Sequence, residues 1–519
     1  MGFQALKELW KRRDKYDLAI LLYREEDNRS LLEPFARQAG ITVIPETGVA
    51  AGRGLKIMRG DAVNPADVVE TIKGVDWVLN AMACVSPAAD YAPHQAAAVN
   101  IEAVRNILRA VEAQPDGAQR IRLVHTGTVA ATGDRLGSIH RGRVGDPLKP
   151  SVFDNYAVTK IAGERAVLES ELRRWVSLRL TFIMPTSWKE VLALRDPIAF
   201  HMPLESFMEN ITDRDAGFGM VNCLDIPDHS DFWRRAYNMG GGPGMRCTAF
   251  EFFDRSYQLL GLSGIEACSD RQWYALRNFH MQYFEDSHLL NGYLHHWRDS
   301  LNDYWRLLYR NLPASVRLMA FSCRRVPALR SFVERRVRAS NGHMVENHRN
   351  GTAHWFKHGN AMRLKAFFGN HTASQSVPGW GPSMPVLDRE PPWQRLNHGY
   401  DEGRQPLALA DLLVAARYRG GACLARDWDG DMYSTLPWQC AFGHEFTGKP
   451  YTILNAGHWC PVCLPPPWDD AVQARQNPFF AQAWYANHDP EEDGWYPAQG
   501  AQDIVGADRD PANQGGRKR

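Results

Sequence analysis

From residue 1 to about residue 185 the chain alternates short apolar runs with helical periods, and this alternation restricts the fold more than any other feature. The runs are "LAILLY", "ITVIPE", "VDWVLNAMA", "IRLVHTGTVAATG" and "VSLRLTFIMP", separated by segments such as "HQAAAVNIEAVRNILRAVEA". Strand candidates spaced by helices predict a parallel sheet joined by crossover helices. The expected class is α/β, with a doubly wound, Rossmann-like parallel sheet. The chain enters it without a leading strand. An amphipathic helix carrying Leu6, Leu9 and Trp10 runs directly into "LAILLY".

At 519 residues the chain is too long for a single core. After residue 185 the pattern changes. Residues 186–285 read as a smaller lobe on the carboxyl edge of the sheet, with "RAYNMGG" a strand candidate and "AFEFFDRSYQLLG" an amphipathic helix. Residues 286–400 form a helical region rich in Arg and aromatics that ends in the Pro/Gly-rich linker "SVPGWGPSMPVLDREPPW". A compact Cys/His module occupies 405–465. The composition of 466–519 predicts a disordered tail, within which "NPFFAQAWY" is the stretch able to dock. Between Arg306 and Arg349 there are ten arginines against two glutamates. A solvated helix face is the default reading of such a run, and a phosphate-facing or lipid-facing patch is the alternative.

Basic and acidic residues nearly cancel, 60 against 59, which excludes whole-protein electrostatic attraction to nucleic acid or membrane. No apolar run approaches the ~20 residues that span a bilayer, and the N-terminus lacks signal-peptide regions. A cytoplasmic protein is expected. Nine cysteines are too sparse for a disulfide framework, and four of them fall between Cys423 and Cys463, which suggests a metal.

The chemistry concentrates in "DNYAVTKIAGERAV". Tyr156 and Lys160 are four residues apart, one helical turn, so the ammonium can lower the phenol from its ordinary value near ~10. A tuned tyrosine can move a proton at a carbinol while a nicotinamide moves hydride. Upstream, "VHTGTVAATG" ends a strand in hydroxyl residues, and the carboxyl end is where open α/β sheets bind ligands. Thr128 could bond the same substrate oxygen as Tyr156. The strand "VDWVLNAMACV" ends in small residues, as close passage of a dinucleotide requires, and "MRGDAVNPADV" sets Asp61 just after a short strand.

In this order the pieces make residues 1 to about 285 resemble the extended short-chain dehydrogenase/reductase family, the NAD(P)-dependent epimerase/dehydratase group that includes nucleotide-sugar epimerases. The matching stretches are "GD" at 60–61, "NAMA" at 80–83, "VN" at 99–100, "HTGTVAATG" at 125–133, "YAVTK" at 156–160, "RLTFIMP" at 179–185 and "YNMGGG" at 237–242. The resemblance implies an NAD(P)-binding domain over 1–185 and a substrate lobe over 186–285. It makes Tyr156 the catalytic acid/base, Lys160 the residue that tunes it and holds the nicotinamide ribose, and Thr128 the substrate hydroxyl partner in place of the family's usual serine. Asp61 and Ala62 would flank the adenine, Asn80, Ala81, Met82 and Ala83 would line the cofactor, and Pro185 would lie near the nicotinamide. Arg24, at the end of the second family strand, leans towards NADP over NAD, although Glu25 and Glu26 follow it.

The family opens with a strand and a G-x-x-G-x-x-G turn whose amides bind the pyrophosphate. Here Gly2 and Phe3 match only the last glycine and its successor. The expectation is that "LAILLY" and "VDWVLNAMA" face a gap where that strand belongs, that the protein begins upstream of Met1 or, alternatively, that it has lost its cofactor.

Cys440-x3-His444, fifteen residues, then Cys460-x2-Cys463 is ligand spacing for a closed, structural Zn²⁺ site. The stretch resembles treble-clef and zinc-ribbon modules, which implies Cys440, His444, Cys460 and Cys463 as ligands. Cys423 is a fifth candidate. The expected activity is an NAD(P)-dependent oxidoreductase or epimerase/dehydratase acting at a secondary alcohol or ketone of a small molecule, with nucleotide sugars among the candidates and a homodimer as the assembly. The alternative is a non-catalytic protein that uses a degenerate dinucleotide fold and a zinc module to bind nucleic acid or protein.

Overall fold

The computed structural model describes residues 1–23, 29–193, 195–381 and 392–509. Seven strands build the main sheet: β1 (Leu18–Tyr23), β2 (Gly48–Gly52), β3 (Leu55–Gly60), β4 (Trp77–Asn80), β5 (Arg122–Thr128), β6 (Arg174–Leu180) and β7 (Arg235–Met239). They divide into two halves. One has the order β1-β3-β2, with β1 and β3 parallel and β2 antiparallel to β3. The other has the order β7-β6-β5-β4 and is parallel throughout. The α/β class is what the alternating pattern predicts.

Among the described residues no strand pairs with the second edge of β1 or of β4. The consequence shows in burial. The residues of β1 are half-buried, with Ala19 exposed, and Trp77 and Leu79 of β4 are only half-buried, whereas β5 and β6 are buried from their second residue onward. Leu21 of β1 nevertheless packs against the cluster that holds Val78 and Leu123.

Two local expectations are corrected. "ITVIPE" is not a strand: Ile41 and Ile44 bury their side chains in a cluster with Leu32, Leu55 and Ile57, but the pairing goes to residues 48–52, which turn back on β3 through Gly54 at φ 66°. "RAYNMGG" supplies β7, a strand of the main sheet and not of the lobe, because it pairs in parallel with β6 from Arg235↔Val176 to Met239↔Leu180.

The N-terminal helix α1 (Gly2–Lys11) buries Ala5, Leu6 and Trp10. Helix α2 (Asn155–Leu168) begins at Asp154, whose carboxylate caps the Ala157 amide, and is buried on nearly all sides in the middle of the domain. The arginine-rich region is helical as expected, chiefly over Ala314–Arg325 and Pro327–Asn347. The linker "SVPGWGPSMPVLDREPPW" lies largely outside the described residues.

The disordered tail is corrected over residues 468–509. Trp468–Asp469 pairs with Trp495–Tyr496, and two short helices, Asp470–Gln476 and Pro478–Trp484, stand between them. The reason is aromatic anchoring: Trp468 and Tyr496 are buried against Phe153, with ring centroids 5.4 and 5.5 Å away. Each such ring removes enough apolar surface from water to outweigh the polar composition around it.

Candidate active site and metal cluster

The carboxyl ends of β4, β5 and β6 open onto a cavity of about 1640 Å³. Three side chains expected to do chemistry meet on its wall: Thr128 from the end of β5, and Tyr156 and Lys160 from α2. Gly2, Ala81, Ala83 and Pro185 also line it. The N-terminus of α1 faces the end of β4 closely enough that a Cβ at Gly2 would sit 3.6 Å from the Ala81 Cβ. Unpaired amides at a helix N-terminus beside small residues suit a passing phosphate.

Other expected cofactor residues lie off this wall. The Asp61 carboxylate accepts from the Val63 amide at 2.9 Å, and Ala62 is buried in the core beneath. The cap of the following helix is Asn64. Asn80 is buried, with its amide oxygen accepting from the Met82 amide at 3.2 Å and its Nδ2 3.2 Å from His125 Nδ1. Met82 packs against the core beside Val78. Arg24, which carried the lean to NADP, is outside the described residues.

The electrostatics differ from the sequence argument in one respect. Burial pushes the Tyr156 phenol up to about 12, offset in part by a hydrogen bond with Thr128 and reinforced by Asp154 and Cys84. Lys160 is fully buried; desolvation lowers its ammonium to about 8, against the opposing pull of Glu164, and its Nζ donates to the Thr126 carbonyl at 2.5 Å. In this arrangement the phenol lies above its ordinary value, opposite to the expected direction, and the Lys160 ammonium is turned to the backbone of β5.

Sequence reasoning missed the acids beside the tyrosine. Asp90 and Asp154 line the same cavity, and Asp90 accepts from the Asn155 amide at 3.0 Å and from the Ser86 hydroxyl at 2.7 Å. Burial, with Asp154 adding repulsion, raises Asp90 to about 7. No local signal marks it, since "PAADYAPH" reads as an ordinary short helix.

The four predicted metal ligands converge. His444 Nδ1 lies 3.4 Å from Cys440 Sγ, 3.3 Å from Cys463 Sγ and 3.7 Å from Cys460 Sγ, and the Cys440 and Cys463 sulfurs are 3.8 Å apart. A tetrahedral ion with bonds of about 2.3 Å to sulfur and about 2.0 Å to nitrogen sets its ligand atoms roughly 3.5–3.8 Å apart, so the donor set fits Zn²⁺. The knuckle hangs between two antiparallel strands, Leu436–Gln439 and Glu445–Gly448, and Gly443 makes the turn at φ 79°. Cys423, the fifth candidate, is not in the cluster; it pairs with Trp438 in the neighbouring strand and is buried in the module's core.

The module is docked on α2. Glu164, four residues after Lys160, is buried with Arg179 at 2.8 Å and His458 at 3.1 Å. Burial would raise this carboxyl, but Arg179 and His458 hold it well below the ordinary range. Arg165 donates to the Trp459 carbonyl at 2.6 Å, and the Ala236 amide of β7 donates to the Tyr451 hydroxyl at 2.8 Å.

Residues 8–188 match the model of the NAD dependent epimerase/dehydratase family. Comparison with curated protein sequences finds no match. Among solved structures, a UDP-glucuronic acid 4-epimerase from Bacillus cereus in complex with NAD is similar at 16% identity and TM-score 0.43, over 62% of this chain and 96% of that one. A dTDP-glucose 4,6-dehydratase from Bacillus anthracis in complex with NAD gives 14% identity and TM-score 0.43, over 60% and 92%. The DesIV dTDP-glucose 4,6-dehydratase of Streptomyces venezuelae gives 16% identity and TM-score 0.42, over 60% and 93%.

Proposed function

We propose, on the premise that residues 8–188 belong to the NAD dependent epimerase/dehydratase family, that the chain is an NAD-dependent oxidoreductase or epimerase/dehydratase acting at a secondary alcohol or ketone. The observation that carries this reading is the convergence of Thr128, Tyr156 and Lys160 on one cavity at the carboxyl end of the sheet. A scaffold that only binds has no use for a phenol, a hydroxyl and a buried ammonium on the same wall.

The residues present suit the reacting half of a dinucleotide: small side chains at Ala81 and Ala83, the open N-terminus of α1, and a buried ammonium. When bound, NAD would take up or return hydride at the substrate carbon. Tyr156 moves the proton at the substrate oxygen, and Thr128 orients that oxygen. With its phenol pushed up by burial, Tyr156 rests as the acid, the form that protonates a ketone oxygen as hydride arrives. Lys160 brings positive charge to the ribose side of the site. In the same proposal the Cys/His cluster holds a structural Zn²⁺, all four positions being taken by protein ligands, and the chain works in the cytoplasm.

The test is a stopped assay at 340 nm with NAD and a panel of secondary alcohols, beside the same assay on Tyr156→Phe. The reading expects wild type alone to reduce NAD or, where hydride is returned, to convert the alcohol to a new product seen by NMR. Equal signals from both proteins would refute it.

A further inference from the structure

Resting on that reading, we infer that the substrate is a lipophilic alcohol or ketone and not a nucleotide sugar. The argument starts at the reactive hydroxyls. Thr128 is paired with Leu180 in the sheet, and two residues past Leu180 the chain places Phe182 on the cavity wall. From there an aromatic surface continues: Phe182 meets Phe252 at 5.8 Å, Phe252 meets Trp305 at 5.8 Å, and Trp305 meets Tyr304 at 4.9 Å between ring centroids. Trp188 and Leu308 complete this side. At about 1640 Å³ the space exceeds the usual range of ~300–1,000 Å³ for a single small ligand, so a second ligand fits beside a dinucleotide.

The charges point the same way. A nucleotide sugar would bring a second pyrophosphate beside that of the dinucleotide, and sites hold such groups with arginine and lysine side chains. Four such side chains line the cavity. Lys160 is engaged by Thr126, Arg363 is paired with Asp503 at 2.7 Å, Arg195 donates to the Ser340 hydroxyl, and of the four Lys189 alone is exposed without a partner among the described residues. Seven carboxyl groups line the same space among the described residues, an excess over the four cations that disfavours a second pyrophosphate. Among the buried polar atoms left without a hydrogen-bond partner on the wall is the Ser151 hydroxyl, ready for a substrate oxygen.

The test is calorimetric titration of the NAD-loaded full chain with 2-nonanol and, separately, with UDP-glucose, followed by a reading at 340 nm. Expected is saturable binding of 2-nonanol at least about tenfold tighter than that of UDP-glucose, weakened about tenfold or more by Trp188→Asp at unchanged melting temperature. Tighter binding of UDP-glucose, binding of neither compound, or indifference to Trp188→Asp at unchanged melting temperature overturns the inference. If Trp188→Asp lowers the melting temperature, Ser151→Ala replaces it, with a loss of 2-nonanol affinity expected and no loss overturning the inference. Tight binding of 2-nonanol without any reduction of NAD would sink the oxidoreductase reading and leave this one standing. Reduction by UDP-glucose alone would do the reverse.

A different observation carries a second inference: the structure assigns the helical hairpin Ala314–Asn347 as a docking surface for anionic lipid. Its turn and outer faces expose Leu318, Phe321, Val326, Leu329 and Phe332, with Leu318 at 66% and Phe332 at 55% accessibility. Arginines surround them. Arg325 stacks on Phe321 at 4.5 Å, and Arg317, Arg335 and Arg336 are exposed without an ion pair among the described residues. The one acid between Ala314 and Arg338, Glu334, is turned inward and accepts from the Ser263 amide at 2.7 Å. Apolar side chains ringed by guanidinium groups match the boundary between acyl chains and anionic headgroups. Nucleic acid would leave five apolar side chains without a role. Met319, Val333 and Val337 of the hairpin pack around the same buried cluster of Leu262, Cys268 and Cys323 as Tyr257 and Leu260, which also line the cavity. A lipid surface seated here would adjoin the store of a lipophilic substrate.

Co-sedimentation of the full chain with vesicles decides it. Expected is binding to phosphatidylcholine containing about 30% phosphatidylglycerol, at least about tenfold weaker on pure phosphatidylcholine or in about 0.5 M salt, and lost in the surface variant Phe321→Glu/Phe332→Glu. Equal sedimentation with both vesicles, absence of binding, or full binding by the variant overturns the assignment, and in the second case an acidic protein becomes the surface's partner.

Discussion

His458 Nε2 lies 3.1 Å from Glu164 Oε2, and through this contact the Cys/His module grips the helix that carries Tyr156 and Lys160. The carboxylate is shared: Arg179 binds it at 2.8 Å and the Ser177 hydroxyl at 2.6 Å, all of it buried. Residues 294 apart in sequence thus form one polar knot beside the candidate active site.

Glu164→Gln leaves the Arg179 charge buried without its counter-charge. Removing one partner of a buried pair costs about 3–5 kcal/mol. Urea denaturation of the variant should show a loss of that order, and a loss below about 1 kcal/mol would mean that water reaches the knot.

Tyr156→Phe keeps the ring and removes the proton. Turnover is expected to fall by about 10²–10⁴, while the dissociation constant for NAD, followed by fluorescence transfer, stays within about twofold. A variant of normal rate would remove the phenol from the chemistry.

Lys160→Met is expected to stabilise the fold near neutral pH while abolishing turnover. Burial depresses the folded-state pKa to about 8, below the 10.5 of a free lysine, so the folded form holds the proton less tightly than the unfolded one. The destabilisation is complete below about 8 and disappears above 10.5. Melting temperatures of wild type and variant should therefore differ most near pH 7 and converge as pH rises past 9. A constant gap would contradict the buried ammonium.

Trp468→Ala tests the folded tail. Phe153, at φ 68°, stands in the left-handed region immediately before the cap of α2 and is held there by Trp468 and Tyr496. Opening a cavity of this kind costs about 3–5 kcal/mol, and relaxation of Phe153 should lower turnover as well. Thermal denaturation and limited proteolysis of residues 466–509 provide the reading, and an unchanged melt would show that the tail is a passenger.

The sequence by itself determined what local periodicity and spacing can carry. Apolar runs between helices other than "ITVIPE" became parallel strands, Tyr156 and Lys160 share a helix because four residues make one turn, and two close pairs of thiolate and imidazole ligands come together across a hairpin. The open edges of β1 and β4 were legible too, since the run before "LAILLY" is a helix and not a strand. Only the tertiary structure decided where Lys160 points, that Asp90 and Glu164 are buried, and that Trp468 and Tyr496 draw a polar-looking tail into the core. These depend on partners from tens to hundreds of residues away. Burial and charge pairing are set by what lies across space, and no window along the chain contains that information.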